Sequence, residues 1–367
     1  MRIVLSNSSA KWGGVHVVTE VLARSFQARG HEVVVFGYPR SPLEERMRDI
    51  APFEAIGRGM DLSPIAVARA IAALRRHRTE VVLAMMKKDV RHTVPAASML
   101  GIPSIVRYAN DRPLRGGIYD RLFFGRLPVA HITNSHATRR TLVESAPWLR
   151  HRSVDVIHNG IDTRSFELVA PADLGLPSDA IAIGFVGRLE IRKGVVDLAA
   201  AWHSIASRLP KAHLVIAGAG PAEAKVREVL ADSPRVHWLG FRRDVPQVMK
   251  ALDIVAIPSH WEGFGIVAAE ALLSGAAVVA ANASSLPEIV ADHMHGLLVP
   301  PRDPAALASA IVELATDSEA RTRMTAAGRA RVLDEFSAEA MVDRYEEVLS
   351  AATRRARYEA TLEQIEL

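Results

Sequence analysis

The stretch "RIVLSNSSAKWGGVHVVTEVLARSFQARGHEVVVFGY" at 2–38 decides the fold class. It opens on a short apolar run, "RIVLSN" at 2–7. Apolar residues then recur at Val15, Val18, Leu22 and Phe26, the spacing of one helix face. Gly30 stands where a helix C-cap belongs. Residues 31–38, "HEVVVFGY", read as a buried strand. Strand, helix and strand in this order make a βαβ unit.

The alternation continues outward from that unit. Strands are predicted at 80–86 "EVVLAMM", 103–108 "PSIVRY", 129–134 "VAHITN" and 154–158 "VDVIH", with helical patterns between them. Around 161–180 periodicity fades and turn residues gather, which reads as an interdomain linker. A second alternation follows: 181–187 "IAIGFVG", 213–218 "HLVIAG", 236–240 "VHWLG", 254–258 "IVAIP", 277–281 "AVVAA" and 297–300 "LLVP". A helical tail runs from about 303 to the end. Near-continuous apolar strands alternating with helices indicate parallel sheets covered on both faces. The fold class is therefore α/β, with two tandem Rossmann-like, doubly wound domains. A ligand is expected in the cleft between them, at the carboxyl ends of the strands.

Composition agrees with an enzyme of this kind. The chain has 367 residues, enough for two domains, and 49% of them are apolar. It has no cysteine, so disulfides and thiolate metal sites are excluded. The N-terminus lacks the pattern of a signal peptide, and no apolar stretch is long enough for a transmembrane helix, so a cytoplasmic protein is expected. Charge is uneven. Residues 1–165 hold 25 Lys+Arg against 14 Asp+Glu, and the remainder 20 against 27. The basic clusters "RRHR" at 75–78 and "KKDVR" at 87–91 suit an anionic partner or are solvated surface.

Three segments carry candidate chemistry. Gly13-Gly14 lies between the first strand and the first helix, where glycine lets backbone N–H groups approach an anion. The dinucleotide and Walker glycine patterns are missing, which disfavours a nicotinamide or ATP site. "GRLEIRKG" at 187–194 places Arg188 and Lys193 on a loop that opens a helix, well placed to neutralise a diphosphate; the plain alternative is a surface loop with ion pairs. "HWEGFGIVAAEAL" at 260–272 carries Glu262 just before a helix and Glu270 in its second turn. The plain alternative here is a buried helix with two incidental charges. The sharper reading seats a phosphate on the helix start and gives each carboxylate, an acceptor only, to hydroxyls on either side. A sugar nucleotide is such a ligand.

These pieces, with "VIHNGID" at 156–162, "GAGP" at 218–221, "LGF" at 239–241, "LPEIV" at 286–290 and "GLLVPPRDPAALASAI" at 296–311, strongly resemble the retaining GT-B-fold glycosyltransferases of family GT4. The resemblance covers nearly the whole chain. It implies an acceptor domain at 1–165, a nucleotide-sugar domain at 166–347, and a C-terminal helix from about 348 to 367 that packs back on the first domain. It assigns Glu262 to hydroxyls of the donor sugar, Glu270 to the ribose, and Arg188 and Lys193 to the diphosphate. Gly13, Gly14, Gly263, Phe264, Gly265, Ile266 and Val267 line the donor, with backbone amides of Gly14, Ile266 and Val267 on the phosphates. Phe241 and Arg242 border the base. No metal and no cofactor are expected beyond a UDP- or GDP-linked donor, and the chain has no Asp-x-Asp.

One departure stands out. Where many members of the family have His-Asp, "VRYANDRP" places Asn110-Asp111. Asn110 hydrogen-bonds but carries no proton at neutral pH. Tyr108, Asp111 and Arg112 are other contributors, and His16, His131, His136 and His158 are alternatives. The resemblance implies a retaining hexosyltransferase, and the basic first half leads to the expectation of a glycan or lipid-linked acceptor, in cell-envelope or lipopolysaccharide-type synthesis. The basic first half suits an anionic acceptor and peripheral contact with an anionic membrane, at its inner face. A nucleic-acid partner is not expected, because that half lacks basic–aromatic interleaving. Competing readings are a glycogen-synthase-like enzyme or epimerase on the same fold, and an inactive nucleotide-sugar-binding partner.

Overall fold

The alternation builds two parallel sheets, seen in a computed structural model of the chain. The structure describes every residue except 11–12, 57–62, 111, 115 and 366–367, and no side chain at 359, 360 or 362–365. The first sheet has seven strands: β1 (Arg2–Asn7), β2 (Glu32–Gly37), β3 (Phe53–Ala55), β4 (Val81–Ala84), β5 (Ser104–Tyr108), β6 (Ala130–Thr133) and β7 (Val154–Val156). Their order is β3-β2-β1-β4-β5-β6-β7. The short β3 was not foreseen; three residues are too few to show a period.

Successive residues of each strand face opposite sides of the sheet. Ile3, Leu5, Val33 and Val35 pack with Leu22 and Phe26 of the first helix, Gly14–Ala28, and with Met341, Val342 and Tyr345 of the C-terminal helix, Ala338–Ile365. Val4, Val34 and Phe36 pack with Ala70, Ala73 and Leu74 on the other side. Cover on both faces is why the strands read as continuous apolar runs. Full burial of one such side chain contributes about 1.5–3 kcal/mol, so a charge inside this sheet needs a specific reason. Arg107 of β5 is such a charge, 1% exposed. Its Nε donates to the Tyr345 hydroxyl at 2.7 Å and its Nη2 to Asn159 Oδ1 at 2.6 Å.

The second sheet holds β8 (Ile181–Val186), β9 (Ala212–Ala217), β10 (Val236–Gly240), β11 (Ile254–Ile257), β12 (Ala277–Ala281) and β13 (Leu297–Val299). Their order is β10-β9-β8-β11-β12-β13. Ile183, Leu214, Ile254 and Val279 pack with Trp202 and Ile311 on one face; Val215, Val255 and Val278 pack with Leu272 and Leu273 on the other. In both sheets the order reverses at the centre, between β1 and β4 and between β8 and β11. Ligands of doubly wound sheets sit beyond the carboxyl ends of the strands at that point.

The chain divides into a unit of Met1–Gly160 with Ala338–Leu367 and a unit of Ile161–Ser337. The first boundary lies a few residues before the expected 165/166, and the expected linker belongs to the second unit. Ile161 and Phe166 are buried in its core, and Ala172 N–H donates to the Gln247 carbonyl at 2.9 Å. The helix returning to the first unit starts at Ala338, ahead of the expected 348, because Met341, Val342 and Tyr345 already belong to the first core. Among the described residues no helix is long and apolar enough to cross a membrane.

Candidate active site

β8 and β11 are neighbours, with Ile183 beside Ile254 and Gly184 beside Val255. The loops after them therefore meet, although Arg188 and Glu262 are far apart in sequence. After β8 comes Arg188, 64% exposed at its side chain and paired with Glu190 at 3.0 Å. A single turn, Ile191–Lys193, ends at Gly194, with φ +70°. A Cβ there would lie 1.9 Å from the Pro258 carbonyl oxygen after β11. Only glycine allows this approach, and the approach delivers Lys193 to the loop carrying Glu262.

Lys193 Nζ donates to Glu262 Oε1 at 2.5 Å. The buried Ser259 hydroxyl donates to the same oxygen at 2.8 Å. The Glu262 carbonyl accepts from Ser284 Oγ at 2.7 Å and Ser285 Oγ at 3.1 Å, which holds the turn. Gly263, Phe264 and Gly265 complete that turn, and Gly265 caps the helix Ile266–Ser274. The Phe264 side chain points into the core against Phe336, ring centroids 5.6 Å apart, so only its backbone borders the site.

The helix carries no side-chain cap and no acid in its first turn. Its first N–H groups, at Ile266 and Val267, lack intrahelical acceptors, as helix geometry requires. Ala268, Ala269, Ala271, Leu272 and Leu273 are all buried, so Glu270 is the single charge on an otherwise apolar helix. Glu270 lines a cavity of about 430 Å³ with Val186, Gly187, Arg188, Ala217, Val248 and Val267; Phe241 and Arg242 stand at its rim. The Glu270 carboxyl has no hydrogen-bond partner among the described residues, and desolvation raises its pKa to about 7. Phe241 is 73% exposed and Arg242 is paired with Asp244.

Arg188, Lys193, Phe241, Arg242, Glu262–Val267 and Glu270 thus all belong to the second unit, around the end of its central strands. Gly13, Gly14 and Asn110 belong to the first. Gly13 N–H donates to His16 Nδ1 at 3.1 Å, and His16 Nε2 reaches the Ser9 carbonyl at 3.2 Å. With Nδ1 accepting and Nε2 donating, His16 is a neutral cap for the first helix, and burial lowers its pKa. Asn110 is exposed just past β5. Asp111 lies outside the described residues. Tyr108 and His131 are buried against each other, hydroxyl to Nδ1 at 3.3 Å, so neither presents its polar end to solvent.

A family model described as "Glycosyltransferase Family 4" matches residues 12–165, and one described as "Glycosyl transferases group 1" matches 180–317. A D-inositol 3-phosphate glycosyltransferase of Xylanimonas cellulosilytica is 30% identical over 94% of this chain and 93% of its own. The chain belongs to glycosyltransferase family 4. An alpha-maltose-1-phosphate synthase of Mycobacterium tuberculosis is 34% identical over 69% of this chain and 75% of its own. Among solved structures, Anabaena HepE in complex with UDP superposes with a TM-score of 0.84 at 22% identity, over 96% of this chain and 100% of that one. The shared fold is that of the GT-B glycosyltransferases.

Sequence reading of this glycosyltransferase missed Ser259, Ser284 and Ser285. Ser259 carried a weak signal, a hydroxyl three residues before Glu262. Ser284 and Ser285 carried none, because they arrive from the loop after β12.

Proposed function

We propose that the protein is a retaining, metal-independent glycosyltransferase that moves a sugar from a UDP- or GDP-linked donor to a hydroxyl of a glycan or lipid-linked acceptor. The observation that carries the donor reading is Glu270, a carboxyl with no hydrogen-bond partner among the described residues, on the wall of an apolar cavity and one turn beyond the helix-start amides of Ile266 and Val267. A nucleoside fills such a cavity and gives its ribose hydroxyls to Glu270. The diphosphate then lies at the helix start, within reach of Arg188 and Lys193, and Glu262 takes hydroxyls of the sugar. Anabaena HepE, crystallised with UDP-glucose, supports a donor of this class.

In the reaction the bond from the anomeric carbon to the β-phosphate oxygen breaks, and the acceptor oxygen bonds to the same face of that carbon. The acceptor proton passes to the departing phosphate. Negative charge builds on the diphosphate, where Arg188, Lys193 and the helix amides stabilise it. Asn110 and Asp111 keep the catalytic assignment that the family resemblance gives their positions, Asn110 as a hydrogen-bonding group and not as a base. Lys193→Ala and Glu262→Ala should each lower turnover about 100-fold or more.

The basic first unit supports an anionic acceptor. Lys87 lies within electrostatic range of Arg112 and Asp120, just past β4 and β5. The relative named a D-inositol 3-phosphate glycosyltransferase supports the same class. A cell-envelope role, as in lipopolysaccharide-type synthesis, and a place at the inner face of an anionic membrane go with this reading. Incubation with UDP-, GDP- and ADP-sugars, reading nucleotide release, tests the whole. Retention is read from the anomeric signal of the product, and metal independence from activity in excess chelator. Nucleotide binding without release would favour the inactive-partner reading; transfer to glucan would favour a glycogen-synthase-like one. Co-sedimentation with liposomes that ignores anionic lipid would remove the membrane.

A further inference from the structure

The two internal donors to Glu262 both sit on one oxygen. Lys193 Nζ and Ser259 Oγ reach Oε1, at 2.5 and 2.8 Å, and Oε2 has no partner among the described residues. Glu262 is 7% exposed, so its carboxylate is largely shielded from water. A shielded carboxylate that loses a cationic partner without a replacement donor is costly. Lys193 is also the side chain that the donor reading assigns to the diphosphate. One ammonium cannot serve both at full strength.

We propose that Glu262 exchanges partners when the donor binds: Lys193 turns to the diphosphate, Ser259 stays as the positioning residue on Oε1, and sugar hydroxyls take the place of Lys193. This rests on the donor-site reading above. It turns the Lys193–Glu262 pair into a device for selectivity. A bare nucleoside diphosphate draws Lys193 away and returns nothing to Glu262. A sugar nucleotide draws Lys193 away and supplies hydroxyl donors. The pair therefore opposes binding of the product nucleotide and favours the intact donor, which speeds product release. Arg188, exposed and paired among the described residues with Glu190, takes no part in the exchange.

The test is calorimetric binding of UDP and GDP, and of the sugar nucleotide that supports turnover, to the wild type, Glu262→Gln, Ser259→Ala and the double variant. Glu262→Gln keeps the shape and frees Lys193. It should bind the nucleoside diphosphate more tightly, about tenfold, and the sugar nucleotide more weakly. Ser259→Ala should do the reverse to the nucleoside diphosphate, weakening it, because Glu262 is then left with no internal donor once Lys193 departs. In the double variant the effect of Ser259→Ala should vanish, a coupling that a merely structural serine would not show. Unchanged or weaker diphosphate binding by folded Glu262→Gln overturns the exchange while leaving the donor site in place. Absence of diphosphate binding to the wild type overturns the donor reading itself, and the exchange with it.

Discussion

Arg107 and Tyr345 are 238 residues apart in sequence and are joined by a hydrogen bond of 2.7 Å inside the first unit. The same guanidinium holds Asn159, next to the point where the chain leaves that unit, and Tyr345 lies on the helix by which it returns. One buried cation on β5 therefore ties down both crossings. Arg107 Nη1 is buried without a hydrogen-bond partner among the described residues, so the cation has no margin. Tyr345→Phe should destabilise the protein by about 1–3 kcal/mol, since it leaves Nε unpaired as well. Thermal unfolding measures the loss, and hydrogen exchange should show the C-terminal helix opening first. Unchanged protection along 338–358 would contradict this anchoring.

With the ribose assigned to Glu270 as proposed, stability and nucleotide binding should respond to pH in opposite directions. Its carboxyl is raised from 4.5 to about 7 by desolvation. The folded state therefore holds this proton longer than the unfolded chain does. The stability contribution is fully present below pH 4.5 and is lost as pH rises to about 7, by at most about 3 kcal/mol. Glu270→Gln should stabilise the empty protein at pH 8 and leave it unchanged near pH 4. A ribose hydroxyl donating to the carboxylate favours the ionised form, so UDP affinity of the wild type should rise from pH 6 to pH 8. In Glu270→Gln that rise should disappear and affinity should fall about tenfold or more.

His131 acts in the acid range. Burial lowers its pKa to about 3, with a further push from Arg152. Here the unfolded chain takes up the proton first. Stability is intact above pH 6.5 and is lost as pH falls toward about 3. Between pH 7 and pH 5 the loss from this one ring is about 2 kcal/mol. Its Nε2 is buried without a hydrogen-bond partner among the described residues, so an apolar ring of similar size newly orphans only the Tyr108 hydroxyl, a cost that does not vary with pH in this range. His131→Phe should keep most of its stability between pH 7 and pH 5 in urea titrations, where the wild type weakens. Parallel pH profiles would show that His131 is protonated in the fold.

Gly194 tests whether loop contact places Lys193. An added Cβ would come 1.9 Å from the Pro258 carbonyl oxygen, and φ +70° is strained for any other residue. Gly194→Ala should push the two loops apart and lower kcat/KM about 100-fold, the scale of a displacement near 1 Å. UDP affinity should fall with it, because a displaced Lys193 no longer reaches the diphosphate that the donor reading assigns to it.

Much of this was readable in the chain. Strands covered on both faces show as short continuous apolar runs and helices as a period of 3.6, so β1, β2, β4–β13 and the first helix were legible from the placement of apolar residues. Arg188, Lys193 and Glu262 stand out because each lies on a loop between a strand end and a helix start, and Glu270 because it is the single charge in an otherwise apolar helix. Short β3 has no period, and Phe166 lies in a stretch whose apolar residues follow none, so the chain's first crossing was misplaced by a few residues.

By itself the sequence determined two doubly wound sheets and the short segments that carry charge to their carboxyl ends, because those are local properties. Only the tertiary structure decided that β8 lies beside β11, that Lys193 and Ser259 share one oxygen of Glu262, and that Arg107 meets Tyr345. Such pairings depend on strand order and on the meeting of loops far apart in the chain, and no local period encodes them.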